Sequence, residues 1–281
     1  RSSAINPEHA EAIFFREWEQ IKRAACGELA WDVMEQIKRT VKVFREQIEL
    51  KYPLERVKTI GLLGEIYVRH DVFSLQNIPK RLAEKGFAAK ISPVHEWIIY
   101  MDYCIKKGYQ DPEYTIGGRI EAIISNFWQQ SRERSIKKIF STSGLYNEKY
   151  LDVDKYIRHS THLVPAHLKG EPGLSSGAAL SKMLEEYCGI INIGPFGCNN
   201  SRLTESILSP EMSVAGKKRA ISNASEPYRW DGHYKDHEVL PLFSIETDGN
   251  PFPQIIEAQF ENFCIQADRL HKKMMKVHRL V

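Results

Sequence analysis

Between residues 57 and 249 the periodicity of the sequence changes repeatedly, and this alternation restricts the fold more than any other feature. Residues 57–63 form a short, nearly continuous apolar run that stops at Gly64, the pattern of a strand buried on both faces of a parallel sheet. Residues 88–91, closed by Ser92-Pro93, read as a second strand. Residues 189–193 read as a third and run straight into Gly194-Pro195-Phe196-Gly197-Cys198. Residues 239–245 read as the fourth. Segments of helical period separate them: 77–85 with Gly86 as the stop, 96–107, 153–158, 174–187, 201–208 and a closing helix at 254–274. A long amphipathic helix is expected over 115–140, with Ile116, Ile120, Ile123, Ile124, Phe127 and Ile139 on its apolar face. Ser209-Pro210-Glu211 offers an N-cap, a proline and an early acid, so a further helix is expected to start there. Ser175, Ser176 and Gly177 are small enough to let a helix pack closely.

Strands alternating with helices imply an α/β fold: a parallel sheet flanked by helices on both faces, flavodoxin- or Rossmann-like. Ahead of it, Ala10, Ile13, Phe14, Ile21, Ala24 and Ala25 and then Val33, Ile37, Val41, Phe44 and Ile48 recur at helical spacing, divided by Gly27 and ended by Pro53. The expected division is a helical arm, or the end of an upstream lobe, at 1–55 and an α/β domain at 56–281. The chain opens on Arg1, and it is expected to be a piece of a longer polypeptide.

Composition narrows the function classes. A 42% hydrophobic share over 281 residues supports a real core. Net charge is only +3, from 39 basic and 36 acidic residues mixed along the chain, so no nucleic-acid partner is expected. No apolar run approaches the ~20 residues that span a bilayer, and no signal-peptide pattern is present, so no membrane partner is expected. Five widely spaced cysteines without a C-x-x-C pair are not a disulfide framework and read as a reducing, cytoplasmic interior. Cys26, Cys104, Cys188 and Cys264 lie in apolar helix patterns or at their ends, where packing is the expected role.

In open parallel sheets ligands bind beyond the carboxyl ends of the strands. Four segments follow those ends, 64–67, 93–97, 194–198 and 246–249, and they are expected to converge. Cys198 follows a strand, sits behind Gly197 and opens a helix. Such a position favours thiolate, the form that binds iron or attacks a carbonyl. Position alone leaves equally open a small, inert packing residue. A single thiol cannot hold a four-iron cluster, so a ligand role requires thiols from outside this chain. Glu65 and Glu96 read either as binding or acid–base groups or as helix-start charges, and spacing favours the latter. Tyr67, Arg69 and His70 could hold an anionic substrate or line a solvated loop. Asp231, His233, His237 and Glu238 have a metal-site composition, but their spacing fits no standard ligand set and a surface loop is the better reading. His159, His162 and His167 receive no role. Neither G-x-G-x-x-G nor G-x-x-x-x-G-K-[ST] occurs, so any ATP use belongs to another domain or partner.

Five segments recur in order: GEIYVRHDVF at 64–73, HEWIIY at 95–100, GEPGLSSG at 170–177, INIGPFGCNNSRLTESIL at 191–208 and PLFSIETDG at 241–249. Together they resemble the activator-related proteins of the 2-hydroxyacyl-CoA dehydratase and benzoyl-CoA reductase superfamily over roughly residues 50–270. The resemblance implies a cysteine-bound iron–sulfur cluster, such as 4Fe-4S. It also implies an electron accepted from an ATP-hydrolysing activator and passed to a substrate that is hard to reduce, a CoA ester or another small molecule. The family's Pro-Phe-x-Cys cysteine falls on Cys198, with Gly194, Pro195, Phe196 and Gly197 shaping the cofactor pocket. The other family ligands lie in an earlier lobe outside this chain. Relatives often have Met-Pro where this chain has Asn199-Asn200. Glu65, Glu96 and His95 become the candidate catalytic or substrate groups, and an oligomer is expected. Two other readings stand beside this one: a binding or regulatory module of the same fold without a cluster, and a Cys–His hydrolase or transferase with Cys198 as nucleophile and His95 as base. The last ranks lowest because no acid is clearly placed to orient the histidine.

Overall fold

The structure, a computed structural model, describes residues 1–29, 31–109, 116–146, 151–230 and 232–278. The chain forms two compact units, Arg1–Val57 with Thr115–Leu151, and Lys58–Tyr114 with Asp152–Val281.

The first unit opens with α1 (Pro7–Ala25) and α2 (Val33–Gln47). Asn6 caps α1 by accepting the His9 N–H at 3.0 Å, and Asp32 caps α2 by accepting the Glu35 N–H at 2.8 Å. Ile13 and Ala24 of α1 and Ile37 and Val41 of α2 are buried. A polar chain is buried with them: Trp31 Nε1 donates to Gln36, Gln36 to Thr40, and Thr40 to Glu17. Helix α2 stops at Gln47, before the expected Pro53, and Pro53 instead precedes a short 3-10 turn at Leu54–Arg56.

The second unit begins with β1 (Lys58–Gly64), α3 (Ile78–Glu84), β2 (Phe87–Ile91) and α4 (Val94–Lys107). The chain then returns to the first unit for α5 (Ile116–Ser141), which packs on α2. Residues 115–151 therefore part company with the continuous α/β domain expected from 56 onward. Helical period identifies an element but not the core it joins. Nor is the expected apolar face covered: Ile120, Ile123, Ile124, Phe127 and Trp128 are all exposed.

The second unit resumes with α6 (Val153–Ser160), α7 (Glu171–Lys182), β3 (Gly189–Pro195), α8 (Asn199–Glu211), α9 (Val214–Asn223), β4 (Leu242–Thr247) and α10 (Gln254–Val277). Its four strands form one sheet in the order β2-β1-β3-β4, every pair parallel. The two central strands are buried along nearly their whole length, as their unbroken apolar runs require. Residues of opposite parity on β3 meet helices on opposite faces. A Cβ at Gly189 would lie 2.8 Å from Phe263 of α10, while the Asn192 amide points to Ser201 of α8. Phe243 adds ring contacts to Phe260 and Phe263, fixing α10 on its face.

Three boundaries moved for identifiable reasons. Strand β4 starts at Leu242 because Pro241 has no N–H to give and Val239 is exposed, although the Pro241 carbonyl still accepts from Ile190. Helix α7 starts at Glu171 and ends at Lys182; Gly170-Glu171-Pro172 is a helix start, and Leu184 takes φ +67° in the turn beyond the helix. Pro210 lies in the last turn of α8 rather than at a new start, and Ser213 caps α9 by accepting the Gly216 N–H. Within α7 a Cβ at Gly177 would stand 1.9 Å from the Tyr156 carbonyl oxygen, so the small residue there does permit close packing on α6.

From β1 the chain steps to β2 on one side, and the later strands add on the other. The topological switch therefore falls between β1 and β3, whose loops carry Glu65 and Cys198.

Candidate functional site

The carboxyl end of β1 is built around Gly64. Its φ of +110° is glycine territory, and a Cβ there would lie 2.0 Å from the Ile193 carbonyl oxygen. This close approach lets the next amide, of Glu65, donate to Ile193 O at 2.9 Å. The Glu65 carboxylate accepts the Val68 N–H at 2.8 Å and so caps the turn that follows. From that turn Arg69 points inward, only 1% exposed. Its Nη1 donates to Gly64 O at 2.7 Å, and Nη2 stands 3.5 Å from Glu96 Oε2. Glu96 comes from the first turn of α4 and is itself 3% exposed. Burial pushes its pKa up, against Arg69, Lys182, Ser92 and the half-buried His95. A third carboxylate, Glu171 at the start of α7, accepts the Ile66 N–H at 3.0 Å. Burial pushes it up to about 7; Arg69 opposes that shift, while Glu65 and Glu96 add to it. Glu96 and Glu171 thus both lean on the Arg69 guanidinium.

The β3 loop is held differently. A Cβ at Gly194 would lie 2.4 Å from Ser201 Oγ, so only glycine lets α8 start this close to the strand. Pro195 pairs with Thr247, and the Phe196 N–H continues the ladder to Thr247 O at 2.9 Å. Gly197, at φ +73°, turns the chain. Its N–H donates to Glu246 at 3.4 Å, and Glu246 also accepts both Arg202 Nε at 2.5 Å and Nη2 at 3.0 Å. The hydrogen bonds from Arg202 are the main reason the Glu246 pKa lies below the ordinary range. Cys198 is the N-cap residue of α8, half-buried, with its N–H on Pro195 O. Among the described residues it is the one cysteine of the second unit that is not buried. Cys104, Cys188 and Cys264 are sealed in apolar surroundings that raise their pKa values, Cys188 to about 12 and Cys264 to about 11. Cys26 is exposed in the helical unit.

The loops do converge. Gln76 donates to Asn250 O and accepts the Phe252 N–H, and Phe73 lies against Gly249, joining the β1 and β4 loops. A Cβ at Gly170 would be 3.2 Å from Asn200 Oδ1, bringing the start of α7 to the β3 loop. Tyr67, Val72 and Phe73, each 71% exposed, and Phe196, 73% exposed, give this edge an apolar rim. The segment after β2 contributes Glu96 from behind, through Arg69. His95 follows β2 and Cys198 follows β3, with β1 between them.

Other expectations resolve simply. Arg69 is unavailable to a substrate because it is consumed by Gly64 and Glu96, whereas Tyr67 is exposed and His70 bonds Ile66 O through Nδ1. Asp231 lies outside the described residues. His233 and His237 are exposed, and Glu238 is taken by Lys273 and the Lys235 N–H. His159 is buried, bonded to Lys155 O. Sequence reasoning missed Glu171 because Gly-Glu-Pro-Gly reads as a loop; the acid beside a first-turn proline was the available signal. It also missed Lys217, fully buried with its ammonium on the Leu180 and Ser181 carbonyls.

The donor set bears on the cluster that the resemblance implies. Among the described residues no group of three or more His, Cys, Asp or Glu is placed to hold a metal ion. Cys198 is the half-buried thiol at this edge, and the described residues do not form a complete metal site around it. Among the described residues no helix is long and apolar enough to cross a membrane. No family model matches the chain, and neither a curated protein nor a solved structure matches it. The family reading rests on the ordered segments quoted above.

Proposed function

We propose that this chain is the α/β domain of a cytoplasmic, 2-hydroxyacyl-CoA dehydratase-like iron–sulfur system, with Cys198 as one cluster ligand and the remaining ligands supplied from outside the chain. The observation that carries the reading is the placement of Cys198: the half-buried thiol of the second unit, at the N-cap of α8 and beside the topological switch point. Gly194 lets α8 start close to β3, Gly197 leaves open space beside the thiol, and the Arg202–Glu246 pair fixes the loop. A bound cluster would supply one-electron transfer, its potential set partly by burial and hydrogen bonds around the sulfurs. Within this reading Glu65 and His95 are the groups on the substrate side, and Glu96 acts through Arg69 by holding the turn that carries Glu65. An ATP-hydrolysing activator delivers the electron, and the acceptor is a CoA ester or another small molecule.

The test is anaerobic purification of the full-length polypeptide with iron and sulfide analysis and a visible spectrum. Brown protein that loses iron on Cys198→Ser but keeps it on Cys104→Ser supports the assignment. Full iron content in Cys198→Ser refutes it. A folded, colourless native protein favours the binding-module reading, to which the exposed rim of Tyr67, Phe73 and Phe196 lends support.

A further inference from the structure

One of the ties that hold the turn after β1 to the rest of the second unit is chemically conditional. The Ile66 amide is held by Glu171, a side chain from a helix more than 100 residues further along the sequence. Glu171 is buried, yet among the described residues no cation stands within ion-pair distance of it. Arg69, the nearest compensating charge, spends its two terminal nitrogens on Gly64 O and Glu96, and its Nε has no hydrogen-bond partner. Glu171 must lean on a guanidinium already paired with Glu96, while Glu65 and Glu96 add negative charge beside it, so its ionisation is poorly compensated.

We propose that Glu171 is a proton-operated latch: protonated, it stays buried and holds the Ile66 amide, and on losing the proton it moves to water and frees the turn that presents Tyr67, Val72 and Phe73. The charged groups that act on Glu171 are Arg69 and Glu65 from the turn and Glu96 from α4, the last itself under Arg69, Lys182 and His95. On the α8 side the neighbour beside Gly170 is the uncharged Asn200. An ionised carboxylate is the better acceptor for one N–H, but lost hydration is the larger influence on this group, and a single amide does not replace a hydration shell. Burial holds the group near pH 7 as an acid, which puts the latch in a physiological range. Its operation does not depend on whether Cys198 carries a metal.

Amide hydrogen exchange of the whole chain between pH 5.5 and 8.5, corrected for intrinsic exchange, tests this alongside the carboxyl ¹³C titration of Glu171. In the native protein, protection of Ile66 and its turn should fall as the pH rises toward about 7, by up to about tenfold per pH unit, and level off above the Glu171 transition, where latched and freed forms are both ionised. Glu171→Gln keeps an acceptor without a charge, so its protection should stay flat with pH. Flat protection in the native protein while Glu171 titrates overturns the latch. So does an equal loss in Glu171→Gln, which would assign the effect to another group. Because the native-protein titration is decisive by itself, a poorly folding variant does not weaken the test.

Discussion

Buried charge in this protein is organised around single cations, and each has a measurable signature. Arg69 and Glu96 are both nearly inaccessible and 3.5 Å apart. Removing the cation strands a buried carboxylate, so Arg69→Met should cost about 3–5 kcal/mol in urea unfolding, and adding Glu96→Gln should recover much of it. Unchanged stability in the single variant would contradict the pairing. Lys217 gives a pH signature of the opposite kind to a surface lysine. Burial lowers its pKa from 10.5 to about 8, so between those values the unfolded chain binds the proton that the folded chain has lost. Stability contributed by this group therefore rises with pH from about 8 to 10.5 and is lowest below 8. Lys217→Met should remove that slope. Neither partnership was legible in the sequence, where Arg69 read as a possible substrate contact and Lys217 as nothing in particular. A side chain's direction depends on which element packs over it, and one chain segment does not encode that.

Elements were far easier to read than side chains. All four strands and the helices of the α/β unit follow from changes of period, because burying both faces of a central strand forces an unbroken apolar run. Convergence of loops at one edge followed from parallel topology, whereas the half-buried state of Cys198 did not, because position alone left a packing role equally open. The errors fell where proline and glycine carry two meanings: Pro210 tolerated in a last turn, Gly170-Glu171-Pro172 opening a helix, Pro241 ending a loop. Glycine supplies the sharpest test at this scale. Alanine at Gly64 would combine a positive φ with a 2.0 Å approach to the Ile193 carbonyl, and alanine at Gly177 would meet Tyr156 O at 1.9 Å. Each should cost about 3 kcal/mol or more in denaturant unfolding. Gly197→Ala has nothing nearby and should lose only about 1 kcal/mol, from backbone strain. Similar losses at all three positions would mean that the close approaches are not structurally important.

At the level of the whole molecule, the apolar stripe on α5 is the least finished surface. Ile120, Ile123, Ile124 and Phe127 lie at successive helical positions and are exposed, with Trp128 beside them. Contiguous exposed apolar area promotes association. Sedimentation velocity should show concentration-dependent self-association of this chain that Ile124→Ser with Phe127→Ser removes; identical behaviour of the two proteins would count against it. The interleaving of the two units also has a consequence for biosynthesis. When β1 and β2 have emerged from the ribosome, the flank of β1 that will accept β3 has no partner, and the chain next delivers α4 and then α5, the latter belonging to the other unit. Translation must advance from Gly64 to Gly189 before that flank can be closed. At about 5–20 residues per second the nascent chain carries an open, strongly apolar strand for many seconds, an interval in which chaperones have a natural point of entry.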